Sequence, residues 1–354
     1  MGSSTAAQPR GSAALGRSKL RAWHLVAGVL ALLLCALLSV LLGAAELGAQ
    51  RVLGEVGAQL TGGMSPLSER EAAILWQLRV PRVVLGALVG AALAVSGAAF
   101  QGVFRNPLAD PYLLGSAAGA GLAATIALAL VPSAAASGTS GPVQGAAFVG
   151  ALGGVGLTWL LGRSAGGETA TLVLAGVAVG SFLTAGQTFM QQLNLESLQQ
   201  VYMWLLGRLS TSGWHDVLVV LPQLVISAAV LWASARLLDL LGTGDEEAAA
   251  LGVHPGRVRA LVLVAASLAT AAAVSVAGLI GFVGLVVPHL VRLAAGGSYR
   301  IIVPLSLLFG GAFLVLADML ARSVMAPAEL PIGVITAFTG APFFAALLRA
   351  RRSA

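Results

Sequence analysis

Charged residues are scarce in this chain. Only 10% of its 354 residues are Asp, Glu, Lys or Arg, 58% are hydrophobic, and the mean hydropathy is +0.92. A soluble domain of useful size needs far more polar surface than this composition provides. The composition therefore excludes the soluble globular classes and predicts a polytopic helical membrane protein with the lipid bilayer as its solvent.

Cysteine and lysine are nearly absent as well. The chain has one cysteine, Cys35, so no disulfide can form within it, and its four histidines lack the spacing typical of a metal site. Its one lysine, Lys19, is followed by leucine and lies in no glycine-rich P-loop, so the chain cannot itself hydrolyse ATP by that route. We expect no cofactor, no bound metal and no catalytic residue.

What the chain has in place of charge is a series of long apolar runs. At a rise of 1.5 Å per residue, crossing a hydrocarbon core of ~30 Å takes about 20 residues. Ten runs approach this length, which predicts an all-α fold with about ten transmembrane helices in a compact bundle. The predicted spans are 23–45, 82–103, 112–131, 143–162, 170–190, 215–235, 258–279, 281–297, 301–321 and 332–348.

The twenty basic residues are distributed unevenly over the predicted loops. If the N-terminus is cytosolic, only six basic residues lie outside: Arg51, Arg70, Arg79, Arg82, Arg208 and Arg322. Lys and Arg resist translocation, so this asymmetry predicts that both termini are cytosolic. We expect a cytosolic tail over 1–22 and a single transmembrane domain over 23–350. Basic and aromatic residues do not cluster on a polar segment, which excludes a nucleic-acid partner.

Glycine is abundant, with 45 residues, which favours helices that approach one another closely in lipid. The segment 115–121 has small residues at helical spacing and predicts a helix contact rather than a ligand site. A weak internal echo at a constant offset is either coincidence in a glycine-rich chain or an inverted repeat, an architecture common in transporters. The echo pairs Gly97 with Gly278, Pro107 with Pro288 and Gly115 with Gly296.

The most polar interior segment, 238–256, lies on the predicted cytosolic side. Its sequence predicts two short helices separated by a glycine break. Asp245, Glu246 and Glu247 favour the N-terminus of the second helix through the helix dipole, and Gly252 ends that helix. From the residues alone the segment is either a surface helix that binds a partner or a solvated linker between two halves of the bundle.

The segment 278–292, GLIGFVGLVVPHLVR, resembles the signature of the FecCD family, the permease subunits of ABC importers for ferric siderophores, haem and cobalamin. Further blocks are similar to the family in the same order, and together they cover roughly 70–350. These blocks are Leu78–Arg82, Ser96–Gly97, Asn106–Pro111, Leu114–Gly115, Leu174–Val177, Ala317–Arg322, Glu329–Gly333 and Gly340–Phe343.

This resemblance implies a homodimeric, ten-span permease in the bacterial cytoplasmic (inner) membrane. Its implied partners are a second copy of the chain, separate ATPase subunits and an extracytoplasmic substrate-binding protein. The implied cargo is a metal chelate of the iron-siderophore type, with haem or cobalamin as alternatives. Under this resemblance the segment 238–256 becomes the coupling loop that docks on the ATPase, and the partner-helix interpretation outweighs the linker.

The resemblance also assigns roles to individual residues. The residues implied in ATPase coupling are Gly244, Glu246, Glu247, Ala248, Leu251 and Gly252. The residues implied in docking of the binding protein are Arg79, Arg82 and Arg322, for which interfacial anchoring of the span ends is the alternative. The residues implied in an inner gate are Asn106, Pro107, Leu108 and Thr169, for which a plain helix break is the alternative.

Two further side chains carry expectations. Asp318 lies one helical turn from Arg322, and a carboxylate in a span is costly unless it is paired or functional. We predict a local ion pair that orients Arg322, for which a proton-relay site is the alternative. Arg208 follows Gly207 where the family frequently has Gly-Ser, and a cation there could help an anionic chelate to pass. Asp318 is essentially the only ionisable residue within the spans, which disfavours an ion-coupled secondary transporter. An intramembrane enzyme would need a nucleophile and a base at one depth, and the sequence supplies neither.

Overall fold

The computed structural model describes residues 20–42, 47–130, 141–209 and 213–352, and all regular structure in these ranges is helical. Most of the N-terminal tail, residues 1–19, therefore lies outside the described residues. Ten apolar helices coincide with the ten predicted spans. They are α1 Ala22–Leu41, α4 Val80–Val103, α5 Ser116–Leu130, α6 Pro142–Ser164, α7 Thr169–Leu193, α9 Trp214–Ala233, α12 Pro255–Ala277, α13 Val283–Ala295, α14 Tyr299–Ser323 and α15 Ile332–Arg352.

In the described residues, five shorter α-helices, a π-helical turn and a 3-10 turn, Leu195–Ser197, lie between these spans. The π-helical turn, Ile74–Arg79, joins α3 to α4 without a break. The short helices are α2 Ala49–Thr61, α3 Glu69–Ala73, α8 Leu198–Leu205, α10 Ala235–Leu241 and α11 Asp245–Ala250. Helices α10 and α11 are the two short helices predicted for the cytosolic loop, and their separation by glycines is confirmed.

Seven of the apolar helices are long enough by length and composition to cross a membrane. The other three, α5, α13 and the apolar part of α15, are shorter, with 10–17 residues in the apolar segment. They occupy the remaining three predicted spans. Together the ten apolar helices confirm the all-α, polytopic fold. The short helices α5 and α13 each follow a long helix after an irregular connection.

These two irregular connections meet inside the bundle. The hydroxyl of Tyr112, between α4 and α5, donates a hydrogen bond to the carbonyl of Ile280, between α12 and α13, at 3.0 Å. The same hydroxyl accepts a hydrogen bond from the Ile280 N–H at 3.2 Å. Non-helical backbone is tolerated at membrane depth only where protein or water satisfies it. Tyr112 satisfies both polar backbone groups of Ile280.

Helix α4 is the central helix of the bundle and packs against α9, α12, α13 and α14. Its glycines bring the backbones into direct contact. A Cβ at Gly97 would overlap the backbone of Gly284 at the start of α13, and a Cβ at Gly90 would overlap that of Gly310 in α14. Ser96 adds a hydrogen bond to the carbonyl of Ala266 in α12 at 2.9 Å. Close packing of this kind drives helix association where lipid supplies no hydrophobic force.

The segment 115–121 makes the helix contact predicted from its small residues. Gly119 in α5 lies against the backbone of Gly150 in α6, and a Cβ on either glycine would overlap the other chain segment. A Cβ on Gly154 of α6 would likewise overlap the backbone of Gly115, the residue that precedes α5. The pattern of small residues therefore serves packing between α5 and α6.

The residues paired by the internal echo do not occupy equivalent places in the fold. Gly97 lies inside α4, whereas Gly278 follows the last residue of α12. Pro107 lies in a turn, whereas Pro288 lies inside α13. The offset between these pairs thus does not relate the two halves of the chain, and the inverted repeat stays a prediction.

Helices α2 and α3 form a cap, on the face predicted to be outer, that the apolar runs did not predict. Glu55 of α2 is buried, and its carboxylate accepts hydrogen bonds from Ser65, from Gln59 at 3.2 Å and from the indole N–H of Trp76 at 3.1 Å. These hydrogen bonds, led by the one from Ser65, lower the pKa of Glu55. The charged form is therefore favoured, and Glu55 fixes the cap to the turn that precedes α4.

We predict that Gly97→Ala destabilises the bundle by about 1–3 kcal/mol or more, because the added methyl group must displace the backbone of α13. The measurement is the thermal unfolding midpoint of the detergent-solubilised protein. Gly153→Ala in α6 is the matched control, because a Cβ there meets no atom within 4 Å. An unchanged midpoint for Gly97→Ala would show that α4 and α13 are not in backbone contact.

Candidate functional site

The functional residues predicted from sequence fall into two groups at opposite ends of α4. We name them the outer and the inner group after the predicted topology. The outer group surrounds Asp318 of α14, whose side chain is 3% exposed. Arg82, in the first turn of α4, donates to Asp318 through Nε at 3.2 Å and through Nη2 at 2.8 Å. Arg322 donates to the same carboxylate through Nε at 3.0 Å. The predicted ion pair between Asp318 and Arg322 is confirmed, and Arg82 adds to it.

Glu329 is the second carboxylate of this outer group. Arg82 Nη1 and Nη2 lie 3.0 Å and 2.9 Å from the two carboxylate oxygens of Glu329, which is a bidentate geometry. The Glu329 side chain is 46% exposed, whereas that of Arg82 is 17% exposed. Arg82 thus bridges a buried acid and a surface acid. The sequence placed Glu329 in a family block but gave no sign of this contact.

Arg79 and Arg322 both bind the C-terminal end of α1. Arg79 Nη1 donates to the Val40 carbonyl at 3.1 Å, and Arg322 Nη2 donates to the Ser39 hydroxyl at 2.7 Å. The last carbonyls of a helix have no partner within that helix, and cations near them are favourable. Arg79 is 8% and Arg322 is 6% exposed. Of the three arginines assigned to docking, only Arg82 is more than marginally exposed, and it is the one that also binds a surface carboxylate.

The inner group contains the predicted coupling loop. Gly244 precedes α11 with a φ of 139°, which favours glycine, and a Cβ there would also overlap the Glu247 carboxylate. Ala248 is 0% exposed and packs in the core, so it anchors α11 and does not face outward. Leu251, 64% exposed, projects beyond the helix, and Gly252 follows with a φ of 80°. The exposed members of the predicted set are Glu246, Glu247, Leu251 and Gly252.

Asp245, the first residue of α11, was not among the predicted site residues. Arg259 Nη2 of α12 lies 2.6 Å from Asp245 Oδ1, and Arg105 Nη2 binds the same oxygen. Partial burial raises the pKa of Asp245, but hydrogen bonds and charge from Arg259 and then Arg105 outweigh it and lower the pKa. Asp245 therefore stays ionised at neutral pH, and it joins three parts of the chain.

The predicted gate residues Asn106, Pro107 and Leu108 form one turn directly after Arg105. The Asn106 side-chain oxygen accepts a hydrogen bond from the Leu108 N–H at 3.0 Å, which is the geometry of an Asx turn. Arg105 itself has a φ of 48°, a left-handed conformation that is uncommon for a residue with a side chain. Thr169 is the first residue of α7 and is half-buried.

Arg208 lies where three connections of the chain meet. Its N–H donates to the Ala277 carbonyl at the end of α12 at 2.9 Å, and the carbonyl of the preceding Gly207 accepts from Ile332 at 3.3 Å. The Arg208 side chain is half-buried, and its buried Nε has no hydrogen-bond partner. Burial of a guanidinium nitrogen without a partner is costly, so a ligand that supplies an acceptor would be favoured there.

Within the ranges that the structure describes, no three His, Cys, Asp or Glu residues are close enough to hold a metal ion. The geometry is that of a polytopic helical membrane protein, with a charged cluster near each end of α4 and apolar helices between. The FecCD transport family model matches residues 31–350. The chain belongs to the FecCD family.

Curated relatives cover most of the chain. It is 48% identical to the cobalamin import system permease protein BtuC of Halobacterium salinarum, over 80% of this chain and 75% of that protein. It is 40% identical to the Fe(3+)-citrate import system permease protein YfmD of Bacillus subtilis, over 80% of this chain and 84% of that protein. It is 38% identical to the hemin transport system permease protein HmuU of Yersinia pestis, over 78% of this chain and 84% of that protein.

The fold is also that of a solved transporter. A structure described as an inward-facing ABC transporter of the metal-chelate type superposes with a TM-score of 0.78 at 28% sequence identity. The superposition covers 92% of this chain and 98% of the other. Both the helix arrangement and the family assignment therefore identify a multi-pass transport permease.

We predict that Asp318→Asn costs about 3–5 kcal/mol of stability, because it leaves Arg82 and Arg322 without their shared buried anion. Thermal unfolding of the purified protein in detergent measures this loss. Glu329→Gln removes a surface carboxylate from the same cluster and should cost at most about 1 kcal/mol. Equal midpoints for the two variants would contradict the assignment of Asp318 as the centre of the outer cluster.

Proposed function

We propose that the chain is the membrane-spanning subunit of an ATP-driven importer for a bulky metal chelate in the bacterial cytoplasmic membrane. The observation that carries this proposal is the family match over residues 31–350, which leaves out little besides the N-terminal tail. The chain has no P-loop sequence, so ATP hydrolysis belongs to separate ATPase subunits. Both termini are cytosolic in this proposal, and the domain boundaries are those expected from sequence.

The ATPase docks on the coupling loop, 238–256. Support comes from α11, which is held against the bundle by Ala248 while Glu246, Glu247 and Leu251 are exposed. An exposed leucine beside two acids is a compact apolar anchor with a charged rim, which suits docking into a groove. Gly244 and Gly252, both with positive φ, delimit the helix so that it can move as one short lever.

The binding protein docks on the outer group around Arg82. The family resemblance assigns Arg79, Arg82 and Arg322 to this role. Arg82 is the partly exposed one, so an acidic side chain of the binding protein reaches it by competing with Glu329. Arg79 and Arg322 support this surface without contacting the binding protein. Arg79 binds the end of α1, and Arg322 positions Asp318. Exposed charge pairs set the association rate and orientation more than the affinity.

A second copy of the chain completes the pathway. A wide lumen for a chelate needs walls from two copies, and α7 offers a long apolar face that is not covered within one chain. The exposed apolar residues of α7 include Leu174, Val177, Phe182, Phe189 and Leu193. The inner gate of this pathway is the turn Asn106–Leu108 together with Thr169. The Asx turn keeps that gate compact.

The cargo in this proposal is an iron-siderophore chelate. A cobalamin is the second candidate, because the relative with 48% identity is a cobalamin import permease. The membrane domain discriminates weakly between them, since its described interior offers few charged groups, and the binding protein selects the cargo. Arg208 adds only a modest preference for an anionic cargo, because its guanidinium is positively charged.

The test of the proposal is uptake into proteoliposomes that contain the chain with its ATPase, with the binding protein outside and ATP inside. We expect uptake of a radiolabelled ferric siderophore or cobalamin that stops when the ATPase is inactivated. Vesicles with the chain alone should accumulate neither cargo. Uphill uptake by the chain alone under a proton gradient would contradict the proposal and favour a secondary transporter.

We predict that Leu251→Ala weakens binding of the ATPase subunit about tenfold, since an exposed apolar anchor at the centre of an interface carries much of the binding energy. Copurification and titration of the detergent-solubilised permease with the ATPase measure the affinity. Leu60→Ala on α2 removes another strongly exposed leucine, on the opposite face, and is the matched control. Equal affinities for the two variants would refute the coupling role of α11.

We predict that Arg208→Ala lowers uptake of an anionic ferric chelate by about two- to tenfold while sparing a neutral cargo, because the variant loses one guanidinium charge. Initial uptake rates of both cargo types in the same vesicles give the ratio. Arg208→Lys keeps the positive charge, so it should retain most of the uptake of the anionic cargo relative to the neutral one. Uptake of the anionic cargo that is unchanged by Arg208→Ala would remove Arg208 from the pathway.

A further inference from the structure

The carboxylate of Asp245 joins α11 to two other parts of the chain on the inner face. Arg259 of α12 donates to Asp245 Oδ1 at 2.6 Å, and Arg105 binds the same oxygen from the connection that follows α4. In sequence, Arg105 is 140 residues from Asp245. The contact therefore connects the coupling loop with a distant segment, and neither the family blocks nor the apolar pattern indicates it.

The Arg105 side chain also binds the backbone at the end of α10. Its Nε donates to the carbonyl of Leu241, the last residue of α10, at 2.7 Å. Its φ of 48° is sparsely populated for a residue with a side chain, and such conformations persist only when the surroundings hold them. The two contacts of the Arg105 side chain, to Leu241 and to Asp245, supply that hold.

The chain continues from Arg105 directly into the turn Asn106–Leu108, and from there to Tyr112. Tyr112 binds both backbone groups of Ile280 in the connection between α12 and α13. A displacement of Arg105 therefore acts first on the turn and then on the buried connection that touches it. This is a continuous series of contacts from the coupling loop into the middle of the bundle.

We propose that Asp245 is a positioning residue that ties the coupling helix α11 through Arg105 to the turn Asn106–Leu108, so that movement of α11 moves that turn. The proposal rests on the proposed function, because it presumes that α11 is moved by an ATPase. Arg259 steadies the Asp245 carboxylate on the side of α12. Without the tie, α11 moves with the ATPase while the turn stays in place.

The experiment compares Arg105→Gln with Arg300→Gln in the complete importer reconstituted in vesicles. Arg300 is the matched control, because it also pairs with an aspartate of the coupling loop, Asp239 at 3.5 Å, but lies at the start of α14 and not in the connection after α4. ATP hydrolysis and cargo uptake are measured in the same preparation. For Arg105→Gln we expect ATP hydrolysis close to the unaltered rate and about tenfold less cargo per ATP hydrolysed. Arg300→Gln should leave this ratio unchanged.

A second variant tests the tie without relying on charge. In a Cys35→Ser background, Arg105→Cys with Asp245→Cys removes the ion pair and offers two thiols to a short bifunctional thiol crosslinker. We expect a low ratio of cargo to ATP before crosslinking and recovery of most of that ratio afterwards. A merely structural role for the pair would not give recovery that depends on the crosslink.

The outcomes separate this inference from the proposed function. If the unaltered importer takes up no cargo with ATP, the proposed function itself fails. If the unaltered importer is active and both Arg105→Gln and the uncrosslinked double variant keep its ratio of cargo to ATP, the tie is refuted while the importer assignment stands. Equal losses in Arg105→Gln and Arg300→Gln would also refute the tie, because they would show a general effect of inner-face charge.

Discussion

Backbone contact between α4 and its neighbours is the constraint on which the rest of the structure depends. Lipid provides no hydrophobic force between helices, so association relies on close packing and hydrogen bonds. Gly90 and Gly97 bring α4 against Gly310 and Gly284 with no room for a side chain. The start of α13 is thereby fixed against α4, and the irregular connections before α5 and α13 can bind each other.

A helix held this firmly can carry charged groups at both ends in defined positions. At its outer end Arg82 binds Asp318 and Glu329, and just past its inner end Arg105 binds Asp245. The outer cluster is stabilised by a buried acid, and the inner cluster is more exposed. This difference fits the proposed function, in which the outer cluster is a rigid platform, the inner cluster is a movable lever and α4 lies between them.

The sequence predicted the helices better than the contacts between charges. Long apolar runs located all ten apolar helices, and helical spacing predicted the Asp318–Arg322 pair. The cap formed by α2 and α3 was missed because its helices are short and amphipathic, although Gly48 and Gly62 flank α2 as breakers. The partners of Arg82 and Arg105 are far away in sequence, so only the fold could show that these arginines bind acids of the same chain.

Hydrogen–deuterium exchange of the detergent-solubilised protein tests the central role of α4 most directly. Amides that open only with global unfolding exchange most slowly, whereas amides at weakly packed surfaces exchange by local opening. The account predicts that residues 85–103 exchange more slowly than any segment of α6 or α7, which are more exposed. Exchange of 85–103 at the rate of α6 would contradict α4 as the fixed centre of the bundle.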